Sequence, residues 1–89
     1  MPNQNETNMT TQVKAINKKH QSLVNRAVKY DALYEKLNYL RENADNADDE
    51  KLFRKYDRMA TNAYDKFLDA MWQLPKREQK NIEKHIKPY

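Results

Sequence analysis

The stretch VKAINKKHQSLVNRAVKYDALYEKL, residues 13–37, decides the fold. Its apolar and semi-apolar residues recur in alternating steps of three and four, and no Gly or Pro interrupts them. This spacing is typical of an α-helix that packs lengthwise against another helix. The predicted seam consists of Val13, Ile16, His20, Leu23, Ala27, Tyr30, Tyr34 and Leu37. We expect Leu23 to be buried in this seam, and the stripe widens from Val24 onward to include Val28.

The same helix carries the strongest charge feature of the chain. Residues 10–30 contain five cations and no acidic residue, whereas residues 31–50 contain seven acids and two cations. Residues 76–89 are again basic. An uneven charge distribution of this kind is informative about binding partners and not about the fold.

Length and composition restrict the class of protein. A chain of 89 residues is enough for one small domain. It has no Gly, which disfavours β-rich folds, and no Cys, which excludes disulfides and thiol chemistry. No apolar run approaches the roughly 20 residues of a membrane span, so we expect no membrane partner and a cytoplasmic location. Residues 1–9 are expected to form a disordered tail.

The pattern predicts an all-α fold, a long antiparallel helical hairpin plus a short C-terminal third helix. Residues 10–89 form the single helical domain, with helices at about 10–42, 47–74 and 76–87. The acidic stretch 43–50 is rich in capping residues and is predicted to be the turn of the hairpin. A hairpin this small buries little surface, so we expect a homodimer that forms a helical bundle.

The antiparallel arrangement converts the sequence asymmetry into a spatial one. It brings the start of the first helix beside the third helix, and it leaves the acidic turn at the opposite end. The cations at the basic side are therefore predicted to bind nucleic acid or an acidic protein surface. They are Lys14, Lys18, Lys19, Arg26, Lys29, Lys76, Arg77, Lys80 and Lys84.

Other chemistry is largely excluded by the residues present. His20 and His85 have no metal-ligating neighbours at helical spacing, and Ser22 is the only serine. We expect neither an enzyme nor a cofactor, metal or small-molecule substrate. Two aromatic residues, Tyr39 and Trp72, fall off the seams and are candidate surface anchors.

Two short segments are similar to known families. LYEKLNYL, residues 33–40, followed by an acidic turn and a second helix, resembles the hairpin of small plasmid RNA-binding copy-number regulators. That resemblance implies a dimeric four-helix bundle, although the family lacks a third helix. WQLPKREQKNI, residues 72–82, is similar to the Leu-Pro-x-Arg start of helix-turn-helix segments in sigma-like regulators. Only seven residues follow Ile82, too few for a recognition helix, and we assign the chain to neither family.

Two functional hypotheses remain. The preferred one is a non-enzymatic regulatory module that binds nucleic acid through the basic end. The alternative is a protein-binding adaptor or inhibitor, of the type found on phages and other mobile elements, which blocks a partner's nucleic-acid-binding or assembly surface.

Overall fold

The computed structural model describes residues 13–86. A short 3-10 turn, Lys18–His20, leads into helix α1, Gln21–Asn46. Helix α2, Glu50–Trp72, packs antiparallel against α1, and the short helix α3 spans Lys76–His85. The part of the chain described contains no strand, so the predicted all-α hairpin with a short third helix is confirmed. No helix within it combines the length and the apolar character needed to cross a bilayer.

The predicted start of the first helix near residue 10 is wrong. Residues 13–17 are not helical and form a strap that packs on α3, and the α-helix begins only at Gln21. Asn17 then caps the 3-10 turn, because its side chain accepts from the Lys19 N–H. The other helix bounds agree with the predicted ones to within four residues. The predicted tail at residues 1–9 and the end of the third helix at residue 87 lie outside the described residues.

The turn between α1 and α2 closes without glycine. The Asp49 N–H donates to the Ala44 carbonyl at 2.9 Å, and the Asp48 N–H donates to the Asp45 carbonyl at 3.0 Å. These two bonds define a Schellman motif whose left-handed residue is Asp48, with a φ of 56°. Asp49 then starts α2 by accepting from the Leu52 N–H. The acidic stretch therefore ends one helix and begins the next, but residues 43–46, which were predicted to form the connection, are the last turn of α1, and the N-cap of α2 is Asp49 where Asp45 or Asn46 was expected.

Asp48→Gly is expected to stabilise the protein by up to about 1 kcal/mol, because glycine adopts a positive φ without a steric penalty. The gain is smaller than the full left-handed penalty, since aspartate tolerates this conformation better than most residues. Urea unfolding monitored by circular dichroism measures the change. A loss of stability in the glycine variant would contradict the assigned turn geometry.

The core consists of two clusters along the hairpin. The first lies at the end where the strap and α3 meet the hairpin, and Val24, Ala70 and Ile82 at its centre have no exposed surface. The second lies toward the turn and contains only α1 and α2 residues, centred on Leu37, Ala60 and Ala63. The half of the hairpin near the turn is thus only two helices thick.

The predicted register of α1 is wrong near its start. Val24 is fully buried and Val28 nearly so, whereas Leu23 is half-buried at the edge of the cluster. Ile16, another predicted seam residue, is 56% exposed. The predicted seam assumed a helix from residue 13, but the chain before residue 18 is not helical. At its start α1 therefore packs with the face that carries Val24 and Val28, next to the predicted one.

Candidate functional site

The strap is held by the carboxylate of a buried glutamate. Both oxygens of Glu78 accept backbone N–H groups from the strap, at 3.0 Å from Ile16 and 2.8 Å from Asn17. Glu78 lies in the first turn of α3 and is 2% exposed. A buried carboxylate is tolerated when hydrogen bonds satisfy it, so these two bonds fix the strap against α3.

The charge state of Glu78 reflects these bonds. Burial by itself raises the pKa, but the N–H groups of Asn17 and Ile16, with His20 and Arg77 nearby, outweigh burial and lower the pKa below its usual value. Glu78 is therefore ionised at neutral pH. Its contribution to stability is present at neutral pH and is lost as the pH falls through the lowered pKa.

Two amides complete the attachment of the strap. Gln21, at the start of α1, accepts from the Ala15 N–H at 2.8 Å and donates to the Val13 carbonyl at 2.9 Å. From α3, the Asn81 amide donates to the Lys14 carbonyl at 2.9 Å. The strap is thus bonded on one side to α1 and on the other to α3. These hydrogen bonds place it as a fixed part of the surface.

Seven of the nine predicted binding cations lie on the strap, the 3-10 turn and α3, and all seven are exposed. We call this surface the basic end. Its cations are Lys14, Lys18, Lys19, Lys76, Arg77, Lys80 and Lys84. Within residues 13–86 none of them has a carboxylate within ion-pair distance, since the two ion pairs there join Arg41 to Asp57 and Arg54 to Glu50. These cations are consequently available to a ligand.

The two remaining predicted cations lie elsewhere. Arg26 and Lys29 are exposed on α1, about 8 and 12 Å along the helix from its first residue. The Lys29 ammonium stands 5.5 Å from the centroid of the Tyr30 ring, and Lys66 of α2 stands 5.8 Å from the same ring. Lys29 is therefore part of a separate cationic surface on the side of the hairpin.

Both aromatic residues proposed as surface anchors are exposed. Tyr39 is 64% exposed in the last third of α1, and Trp72 is 77% exposed as the last residue of α2, next to the basic end. The acids Asp65 and Asp69 lie seven and three residues before Trp72 and share its side of the helix. Trp72 thus lies at the border between basic and acidic surface.

The histidines form no metal site in the described chain. His20 is half-buried beside Glu78, and Nδ1 of His85 lies 2.9 Å from the Asn81 carbonyl. Within residues 13–86 no group of three or more His, Cys, Asp or Glu side chains is arranged to hold a metal ion.

The sequence analysis did not identify the three residues whose side chains hydrogen-bond to the strap. Glu78, Gln21 and Asn81 each look like ordinary polar residues of a helix surface. The only available signal for Glu78 was its place just after Pro75, where an acid favours the helix dipole. The sequence analysis also gave no sign that the Asp31 carboxyl group is buried. It is 5% exposed, and burial, together with the nearby Glu35 carboxylate, raises its pKa to about 6.

Comparison of the chain with protein-family models, with curated proteins and with solved structures gives no match. The fold and the surface charges place the protein in the class of small all-α helical hairpins, with a basic end and an acidic turn. Inference about its function therefore rests on the residues themselves.

Proposed function

We propose that the protein is a non-enzymatic regulatory module, acting as a homodimer, that binds the phosphate backbone of nucleic acid through the basic end. The observation that supports this proposal is the bonding of the strap to α3 through Glu78. It joins two basic segments, more than 50 residues apart in sequence, into one exposed surface. Binding that relies on phosphates releases condensed counterions and requires clustered cations without internal partners.

The chemistry of the basic end favours backbone binding over base readout. Six of its seven cations are lysines, which act as mobile point charges, and one is arginine. Bidentate base recognition depends mainly on arginine and on amide side chains held in a groove. The proposed binding is therefore tolerant of sequence, and Trp72 provides a ring beside the cations on which an unpaired base can stack.

Lys18→Ala combined with Lys19→Ala is expected to weaken binding to all nucleic-acid sequences alike. Each phosphate that a lysine no longer neutralises reduces the slope of log affinity against log salt by about 0.9 on duplex DNA, so the double variant lowers the slope by one to two. Titration of a labelled duplex and of an RNA hairpin between about 50 and 200 mM salt measures this slope.

The matched control is Lys36→Ala with Lys51→Ala. It removes the same charge from two exposed lysines on the half of the hairpin near the acidic turn. The control is expected to leave the slope within half a unit of the parent value. Equal slopes in the two double variants, or no binding of any nucleic acid at low salt, would contradict the proposal.

The adaptor or inhibitor hypothesis is the second candidate, and the exposure of Trp72 beside Asp65 and Asp69 favours it. Tryptophan, with tyrosine and arginine, is enriched among the residues that carry most of the binding energy at protein interfaces, and adjacent carboxylates disfavour phosphate. Affinity capture of binding partners from lysate on the immobilised protein, with and without nuclease, distinguishes the nucleic-acid-binding hypothesis from the adaptor or inhibitor hypothesis. Nucleic-acid binding predicts that captured material is released on nuclease treatment, whereas an adaptor retains its protein partner.

A further inference from the structure

One face of the hairpin carries exposed apolar side chains in the half nearer the turn. Leu33 is 38% exposed, Leu52 39% and Met59 41%, and Leu40 is half-buried against the second core cluster. Neither the strap nor α3 contributes a residue to that cluster. No other described part of the chain therefore covers these four side chains, which we call the apolar strip.

On α1 the cations lie farther from α2 than the leucines of the strip do. Because an α-helix turns by about 100° per residue, Leu33 is rotated by about 40° around α1 from the buried Leu37, and Lys36 by about 100° in the same direction. Leu40 is rotated by about 60° in that direction. Lys29 stands seven residues before Lys36 and so lies on the same outer edge. The leucines therefore lie toward the middle of the face, and the lysines lie along its edge.

The arrangement on α2 is the same, and it lies on the same side of the hairpin. Met59 is rotated by about 40° around α2 from the buried Ala63, and Lys55 by about 80° in the same direction. Lys66 lies between them in rotation, and its ammonium stands 5.8 Å from the centroid of the Tyr30 ring of α1. Since Tyr30 lies three residues before the first leucine of the strip, this contact places the two edges on one face.

The two edges are basic and contain no acidic residue. Steps of three and four from residue 26 to residue 40 on α1, and from 52 to 66 on α2, meet five cations, whereas every acid between residues 26 and 66 falls elsewhere. None of the five takes part in the two ion pairs of residues 13–86. Three of the ammonium groups instead stand between 5.5 and 6.0 Å from tyrosine ring centroids of the hairpin. We call the strip and these cations together the open face, and the cations are Arg26, Lys29, Lys36, Lys55 and Lys66.

We propose that the open face is the docking site for an acidic amphipathic α-helix of a partner protein. The apolar stripe of such a helix packs on the apolar strip, and the carboxylates that flank the stripe meet the cations along the two edges. The docked helix adds a third element to the half of the hairpin that is two helices thick, as α3 does at the other end. This docking site goes beyond the proposed function and does not depend on nucleic-acid binding.

Charge complementarity favours this occupant over the alternatives. A second copy of the chain would bring the same lysines against each other, and like charges across an interface are unfavourable. A phosphate backbone would neutralise the cations but offer nothing to the apolar strip. A lipid surface requires apolar side chains that insert below the headgroups, whereas those of the strip are less than half exposed. An acidic amphipathic helix satisfies both sets of side chains, because lysine stems cover apolar surface while their ammonium groups reach the edge.

Two synthetic peptides test the docking site on the full chain. The first has about three heptads with leucine at positions a and d and glutamate at e and g, and the second has the same composition in scrambled order. Fluorescence anisotropy of the labelled peptides is expected to show at least about tenfold tighter binding of the amphipathic peptide. Its binding is expected to shift the methyl resonances of the apolar strip.

Charge reversal tests the edges of the open face. Lys36→Glu with Lys55→Glu is expected to weaken binding of the amphipathic peptide at least about tenfold. The matched control, Lys80→Glu with Lys84→Glu, makes the same change in net charge on α3 and is expected to leave peptide binding intact. Nucleic-acid binding is expected to show the reverse order, with the α3 variant the more affected. Circular dichroism verifies that both variants remain folded.

Leu33→Gln with Met59→Gln tests the apolar strip without any change of charge. This variant is also expected to weaken binding of the amphipathic peptide at least about tenfold, because it removes the apolar contacts at the middle of the face. Equal affinities for the amphipathic and scrambled peptides would reduce the binding to ionic attraction and overturn the proposal. Equal effects of the two charge reversals on peptide binding would do the same.

Two further measurements check the other occupants. Binding of the parent protein to vesicles of equal parts phosphatidylserine and phosphatidylcholine, lost in Lys36→Glu with Lys55→Glu, would assign the open face to a membrane and overturn the proposal. A dimer in sedimentation equilibrium that Leu33→Gln with Met59→Gln dissociates would assign it to a second copy, with the same consequence. These outcomes are distinct from failure of the proposed function, which is the absence of salt-dependent nucleic-acid binding by the basic end.

Discussion

Glu78→Gln is expected to release the strap from α3 and to destabilise the protein by about 2–4 kcal/mol at neutral pH. Hydrogen bonds to a charged acceptor contribute about 1.5–3 kcal/mol each, and glutamine retains one acceptor oxygen while presenting an N–H₂ group to the second donor. The free energy of unfolding measures the loss. Amide exchange of Ile16 and Asn17 measures the release directly, because glutamine offers one acceptor oxygen where the carboxylate offered one to each of these N–H groups.

The pH dependence gives an independent check on Glu78. Its folded pKa is lowered, so the stability it contributes is present above the ordinary glutamate value of about 4.3 and is lost as the pH falls below that value. The difference between parent and Glu78→Gln is therefore expected to be constant from pH 7 to about 5 and to shrink toward pH 3. Asp31, with its raised pKa, is common to both proteins and cancels in the difference.

Glu83→Gln is the matched control for this variant, since Glu83 is an exposed acid on the same helix. It is expected to change stability by less than about 0.5 kcal/mol. If the Ile16 and Asn17 amides were equally protected in the parent and in Glu78→Gln, the carboxylate would not be what holds the strap.

Ile82→Ala is expected to cost about 2–5 kcal/mol, the range for a large-to-small change in a core. Ile82 is fully buried and lies one helical turn after Glu78, so the two residues attach the same face of α3 to the hairpin and the strap. For a domain of this size such a loss lowers the melting temperature by about 10 °C or more. Thermal unfolding followed by circular dichroism measures the shift.

Ile16→Ala makes the same substitution at a residue that is 56% exposed, and it is expected to cost no more than about 1 kcal/mol. Similar shifts for the two isoleucine variants would mean that α3 is not packed on the hairpin. In that case the basic end would not be a single surface, and the proposed function would lose its main support.

The hairpin and its turn could be predicted from the sequence because their causes are local. The apolar residues along 50–72 recur on one face with helical periodicity, which neighbouring residues alone determine, whereas those along 21–46 recur in steps of three and four without keeping to a single face of the helix. Asp49 caps α2 through the N–H of Leu52, three residues away. The direction of the two helices then follows from a short connection, and with it the separation of the basic and acidic ends.

The strap and the inward face of α1 near its start were decided only by the tertiary structure. Residues 13–17 fit a helical pattern as well as those after them, but the N–H groups of Ile16 and Asn17 bond to a carboxylate 62 and 61 residues away. A buried, ionised acceptor competes successfully with the helix for these donors, because leaving it unsatisfied would be more costly than ending the helix. Once the strap leaves the helix, the packing of α3 selects Val24 over Leu23 as the buried residue. Local periodicity carries no information about a hydrogen-bond acceptor as distant in sequence as Glu78. The sequence by itself therefore determined the helices and where their charges lie. Tertiary packing and hydrogen bonding determined how the two basic segments join.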